Sequence, residues 1–140
     1  EGFRLLTERL LNAWKAGGIR GFNAMGVAYI RFAMGNPSHY RVMFGGFVDD
    51  GPRDDDLMRE STAAFQALVD AIVALQQEGA VRKDDALQLA QFIWAVVHGV
   101  SMLIIDGQLA PRRAPIDDLI QFAVGRINTG VARSLRQNDR

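Results

Sequence analysis

Cysteine is absent from the 140 residues, which removes disulfides, thiolate nucleophiles and cysteine-based zinc sites and fits a cytoplasmic origin. Histidine is nearly absent, with only His39 and His98. Di-iron helical bundles use Glu-x-x-His pairs, but the residues three before these histidines are Asn36 and Ala95. No metal and no cofactor are expected. An excess of charge is missing too. Sixteen basic side chains balance sixteen acidic ones, so no net field draws the chain to nucleic acid or to an anionic membrane surface. Strand-like alternation, internal repeats and low-complexity segments are all lacking. The longest apolar run, from Phe92 to Ile105, is broken by His98, Gly99 and Ser101. It falls short of the roughly 20 apolar residues of a membrane span, and the charged start of the chain does not read as a signal peptide.

Catalytic sets are equally scarce. The aspartates gather at helix starts and in the Asp49-Asp50-Gly51-Pro52 loop, where capping and solubility account for them. Ser101 follows His98 by three residues with no acid beside it, and a core serine bonding back to a carbonyl explains it. Gly17-Gly18 and Gly45-Gly46 lack the strand-then-helix setting of a phosphate loop. The sequence offers no catalytic residues, and an enzyme is not expected.

What is present is helix. A hydrophobic content of 49% with 23% charged residues describes an ordinary globular domain, and one domain over residues 1–140 is expected. Apolar residues at helical spacing predict helices from Phe3 to Trp14, with Phe3, Leu6 and Leu10 on one stripe, and from Ile19 to Gly35, with Phe22, Met25, Tyr29 and Phe32. Asn36-Pro37 suits an N-cap and first helical position, so a short helix follows from Ser38 to Phe44. A fourth helix starts at Asp54–Asp56 and runs to Glu78, with Phe65, Leu68, Ile72 and Leu75 inward. Asp84 or Asp85 caps a fifth that reaches Asp106. The last begins near Ile116, carries Ile120, Ala123, Ile127 and Val131 on one stripe, and fades into the tail at Arg136–Arg140. Glycines 21 and 26 suggest close helix–helix approach first and a neighbouring pocket second, and Gly125 close packing against a neighbouring or symmetry-related helix. The fold class is all-α, with about six helices.

The chain looks organised around Phe92–Gln108. Wound as a helix, this stretch places Phe92, Val96, Gly99 and Leu103 near one face and Trp94, His98 and Met102 on another. A helix apolar on several sides needs cover beyond its own domain, which a second subunit supplies. Gly107 is a suitable stop.

Trp94-Ala95-Val96-Val97-His98-Gly99, followed by Asp106-Gly107, resembles the "WHG" signature in C-terminal domains of TetR-family transcription regulators. Ala28-Tyr29-Ile30-Arg31-Phe32-Ala33, Asn36-Pro37 and His39-Tyr40-Arg41-Val42-Met43-Phe44 resemble a second family feature, a helix, a proline turn and a "YRLMF"-like helix. The two matches stand in the family's order and spacing, and the likeness spans essentially the whole chain. It implies a ligand-binding and dimerisation domain whose last two long helices, Asp85–Asp106 and Ile116–Leu135, form a four-helix dimer interface. It also implies a homodimer, a small apolar effector, and DNA binding only through an N-terminal helix-turn-helix domain that nothing before Glu1 supplies. The first helix would be the lever between sensor and reader. No membrane partner is implied.

Two sets of residues become candidates on this reading. Met25, Tyr29, Phe32, Phe44, Phe65, Leu68, Trp94, His98 and Met102 are expected to line the ligand pocket. Val96, Gly99, Leu103, Ile120, Ala123, Ile127 and Val131 are expected at the dimer interface. The alternative is a helical interaction module with no ligand, its apolar surplus spent entirely on subunit contacts. A cavity of drug-sized volume separates the two.

Overall fold

The computed structural model describes residues 1–45, 55–109 and 115–132. They form six helices: α1 Gly2–Trp14, α2 Gly18–Gly35, α3 Pro37–Gly45, α4 Asp55–Gln77, α5 Ala86–Ile105 and α6 Ile116–Val131. Among the described residues the only extended pairing is an isolated antiparallel bridge between Val81 and Ala132. The fold class is all-α, as the periodicity indicates. The Asp49-Asp50-Gly51-Pro52 loop, Asp54, Pro111 and the Arg136–Arg140 tail lie outside the described residues.

Local chemistry sets the helix ends. Asp85, rather than Asp84, caps α5: its side chain accepts from the Gln88 N–H, satisfying a donor that the first turn leaves unpaired. Asp55 and Asp56 occupy the first turn of α4, facing the positive end of its dipole. Gly107, at φ 70°, ends α5 in a Schellman motif, with Gln108 N bonded to Leu103 O and Gly107 N to Ile104 O. Gly79, at φ 76°, ends α4 in the same way. The Asn36-Pro37 pair divides its work differently from the expectation. Pro37 opens α3, but the Asn36 side chain donates to Phe32 O and closes α2.

Hydropathy points to α5 as the organising element; packing gives that place to α2. This helix touches all five others and buries seven of its 18 residues, including Phe22, Met25, Tyr29 and Phe32. Two glycines permit the crowding. A Cβ on Gly21 would stand 2.8 Å from the Trp14 carbonyl oxygen, and one on Gly26 would stand 3.1 Å from Val124 Cγ2. Gly21 thus permits close approach to α1 and Gly26 close approach to α6, and Gly26 also borders a cavity, so both readings of the sequence apply there. By contrast, α5 buries only Ala90, Ile93, Val97 and Ser101. Its 20 residues are long and apolar enough to cross a membrane by length and composition alone, beyond what the Phe92–Ile105 run suggests. Here the Ala90–Ser101 stripe packs against α2, α4 and α6.

The inward stripe of α6 overturns part of the interface expectation. Ile120 (0% exposed), Ala123, Ile127 and Val131 all face the domain's own core. Their regular spacing reflects intramolecular packing, so they cannot also present a surface to a partner. The outward side of α6 carries Phe122 at 60% exposure, with the Arg126 guanidinium 5.0 Å from its ring centre.

Candidate functional site: an apolar cavity walled by all six helices

Among the described residues the packing leaves a well-formed apolar cavity of about 320 Å³, partly open to solvent. That volume lies at the lower end of the range for small-molecule sites. From α1 come Phe3, Leu6 and Leu10, and from α2 Phe22, Asn23, Met25, Gly26 and Tyr29. Phe44 of α3 and Met58, Ser61, Thr62, Ala64, Phe65 and Leu68 of α4 continue the wall. Ile93, Trp94 and Val97 of α5 and Val124 and Ile127 of α6 complete it. No described lining residue carries a charge.

Aromatic rings shape one end. Trp94 lies with its ring centre 6.1 Å from both Phe44 and Phe65. Phe44 packs edge-on against Phe3 at 5.4 Å. Trp94 is 40% exposed and Met58 38%, so these two stand where the wall meets solvent.

Behind the rings runs a chain of hydrogen bonds. Trp94 Nε1 donates to Tyr29 Oη at 3.1 Å, Tyr29 Oη lies 2.9 Å from Tyr40 Oη, and Tyr40 Oη lies 2.6 Å from His98 Nδ1. Indole N–H is only a donor, and with that proton given to Tyr29 one assignment of the remaining protons uses every donor. Tyr29 accepts from Trp94 and donates to Tyr40; Tyr40 donates to His98 Nδ1; the imidazole proton resides on Nε2. Burial keeps both phenols protonated, pushing Tyr29 up to about 12 and Tyr40 higher still. Burial also lowers the His98 pKa, so the ring is neutral, as an accepting Nδ1 requires. Ser101 Oγ is buried without a hydrogen-bond partner, although it lies close enough to Tyr40 to influence that phenol. Arg41 reinforces the same junction, donating to Ile105 O at 2.9 Å and Asp106 Oδ1 at 3.0 Å. Together these bonds fix α3 to the second half of α5.

Acid should weaken this junction. The folded imidazole binds its proton less readily than an exposed one, whose ordinary value is 6.5. The unfolded chain therefore takes up the proton first as pH falls. The stabilisation is complete above about pH 6.5 and is lost as pH falls from there toward the lowered folded value. Urea unfolding at pH 7.5 and 5.5 checks this: the midpoint falls in acid, and His98→Gln removes most of that fall.

The structure brings together Met25, Tyr29, Phe44, Phe65, Leu68 and Trp94 in the cavity wall and leaves out three other candidates. Phe32 is buried one turn beyond Tyr29. His98 stands behind the wall, reached through Tyr40. Met102 lies one further turn along α5, half-buried against the core. Ile127, expected at a subunit interface, lines the cavity instead. Of the α5 interface candidates, Leu103 is 45% exposed and nothing lies within 4 Å of a Cβ built on Gly99, whereas Val96 is partly buried against the domain's own core. Gly125 on α6 is similarly open, so no helix among the described residues accounts for it. Sequence reading misses the α1 contribution, because Phe3, Leu6 and Leu10 have the spacing of ordinary core. It also misses Asn23, the one amide between Phe22 and Ala33, for which poor helix propensity in an apolar segment is the available signal.

An all-helical domain with one apolar cavity among its helices is the class that fold and site define. Residues 22–127 match the family "Tetracyclin repressor-like, C-terminal domain". The chain belongs to that family, which is one of transcription regulators rather than enzymes. Among solved structures, it is similar to a protein with unknown function from Rhodococcus sp. RHA1, at 26% identity and a TM-score of 0.84. That match covers 94% of this chain and 70% of the other. A chain named "putative regulatory protein SCO4313" shares the fold at 20% identity and a TM-score of 0.68, over 90% of this chain and 68% of the other. No curated protein matches.

Proposed function

We propose that this chain is the effector-sensing and dimerisation domain of a TetR-like regulator, and that an apolar small molecule occupies the cavity. The observation that carries this reading is the composition of the wall, to which every helix contributes, α1 included. A guest touching Phe3, Leu6 and Leu10 contacts the first helix directly, and so can favour one placement of α1 over another. In the intact regulator, that displacement changes the spacing of two DNA-reading heads, which must sit about one DNA turn apart. The guest exerts control only through unequal affinity for the two arrangements. DNA binding belongs to another part of the intact cytoplasmic protein, and residues 1–140 form one domain with no catalytic role. Subunits meet through the outward side of α5, where Phe92 and Leu103 are about half exposed and Gly99 is open, with Val96 at the margin, partly packed on the chain's own core. A ligand-free interaction module accounts for that side of α5 but not for the cavity.

Thermal melts of the chain against a panel of uncharged hydrophobic compounds test this reading. A compound present at 100 times its Kd adds about 2.7 kcal/mol, a rise of several degrees for a domain of this size. One chemical class should produce it, and Trp94→Ala should lose it while remaining dimeric. A dimer indifferent to every compound would leave the interaction module as the better account.

A further inference from the structure

The polar atoms of the cavity wall are few, and nearly all are already engaged. Ser61 and Thr62 each donate their hydroxyl proton to Met58 O, at 3.0 and 2.7 Å. The Trp94 N–H is given to Tyr29, and the Tyr29 proton to Tyr40. Asn23 differs. Its side chain makes no hydrogen bond, and its Oδ1 is buried with no partner. The residue is only partly buried, so its unbonded amide is free to turn toward the cavity, and a guest that bonds to it relieves the deficit at the enclosed oxygen. No charged side chain among the described residues lines the cavity, so no described group there offers an ion a counter-charge for the hydration it would lose.

We propose that the cavity selects an uncharged, largely hydrocarbon guest carrying one hydrogen-bonding group, and that the Asn23 carboxamide reads that group. This rests on the cavity being a ligand site. A carboxamide both donates and accepts, so a hydroxyl or amide on the guest satisfies it. A carboxylate or ammonium is disfavoured by the apolar surroundings. Asn23 also borders an open groove of about 510 Å³ on the other side of α2, which Arg9 and Arg31 line. Those arginines lie outside the apolar cavity; an acidic guest would have to reach past Asn23 to meet them.

Binding of octan-1-ol, octanoate, octylammonium and toluene to this chain at pH 7.5, followed by calorimetry, tests the proposal. Octan-1-ol should saturate one site per chain, with octanoate and octylammonium at least tenfold weaker. Asn23→Leu should lower the ratio of octan-1-ol to toluene affinity about tenfold. Asn23→Ala should do the same, which guards against crowding by leucine. Octanoate binding as tightly as octan-1-ol would overturn neutral selection and implicate the arginine-lined groove. Octylammonium doing so would overturn it equally. An unchanged ratio in both variants would remove Asn23 from the role. If none of the four binds, toluene included, the ligand reading underneath fails as well.

Discussion

Glutamate at both Phe92 and Leu103 is expected to dissociate the proposed dimer into folded monomers. Phe92 is 49% exposed and Leu103 45%, and both project from the side of α5 opposite its buried Ala90–Ser101 stripe. Burying such side chains is worth about 1.5–3 kcal/mol when complete, and a two-fold interface uses each position twice. The substitution removes that gain and places four carboxylates against apolar surface. Kd should rise by at least about a thousandfold, near 4 kcal/mol. Sedimentation equilibrium reads the change. Helix content and urea midpoint should move little, because neither side chain belongs to the domain's core. Phe122→Glu, on the exposed side of α6, should weaken the same association. A double variant that stays dimeric would place the interface elsewhere.

Removal of one hydroxyl should cost at least as much as removal of a core methyl group. Tyr40 is fully buried, with its ring 4.8 Å from Phe44 and 5.5 Å from His98. Tyr40→Phe keeps those ring contacts while leaving the Tyr29 proton without an acceptor and His98 Nδ1 without a donor. An orphaned buried group costs about 1–3 kcal/mol. Tyr29 is deep enough to bear that in full; His98 is only half-buried and recovers part of it from water. A loss of about 2 kcal/mol in urea unfolding is expected. Tyr40→Ala adds an unfilled space and should lose about 3–5 kcal/mol. A Tyr40→Phe chain as stable as the parent would mean that the Trp94–Tyr29–Tyr40–His98 bonds contribute nothing.

The limits of the sequence show at particular residues. Trp94, His98 and Met102 share a face of α5, and spacing alone treats them alike. A helix rises about 1.5 Å per residue, so the three spread over roughly 12 Å, and the cavity reaches only the first. The same holds for Phe32 beyond Tyr29 on α2. Ile120, Ala123, Ile127 and Val131 illustrate a different limit. An apolar stripe states that a face is covered and not by what, and here the cover is the chain's own core. The six helices were legible because periodicity and end signals agree, as at Asp85 and Gly107. That α2 rather than α5 touches every other helix was not, since an apolar helix can be so for two reasons at once. The Trp94-to-Gly99 and His39-to-Phe44 segments named the family. They could not reveal that Tyr40 and His98 join those two segments by a hydrogen bond.

The most direct test of the sensing role fills the cavity from within. Ala64 is 7% exposed and lines it, so Ala64→Trp puts an indole where the guest is expected to sit. Melting curves of parent and variant are recorded with the compound that most raises the parent's Tm. The rise should vanish in the variant, whose own melting point without compound stays at or above the parent's and whose dimer persists. An undiminished rise in the filled variant would contradict the account, because the compound would then be binding somewhere other than this cavity.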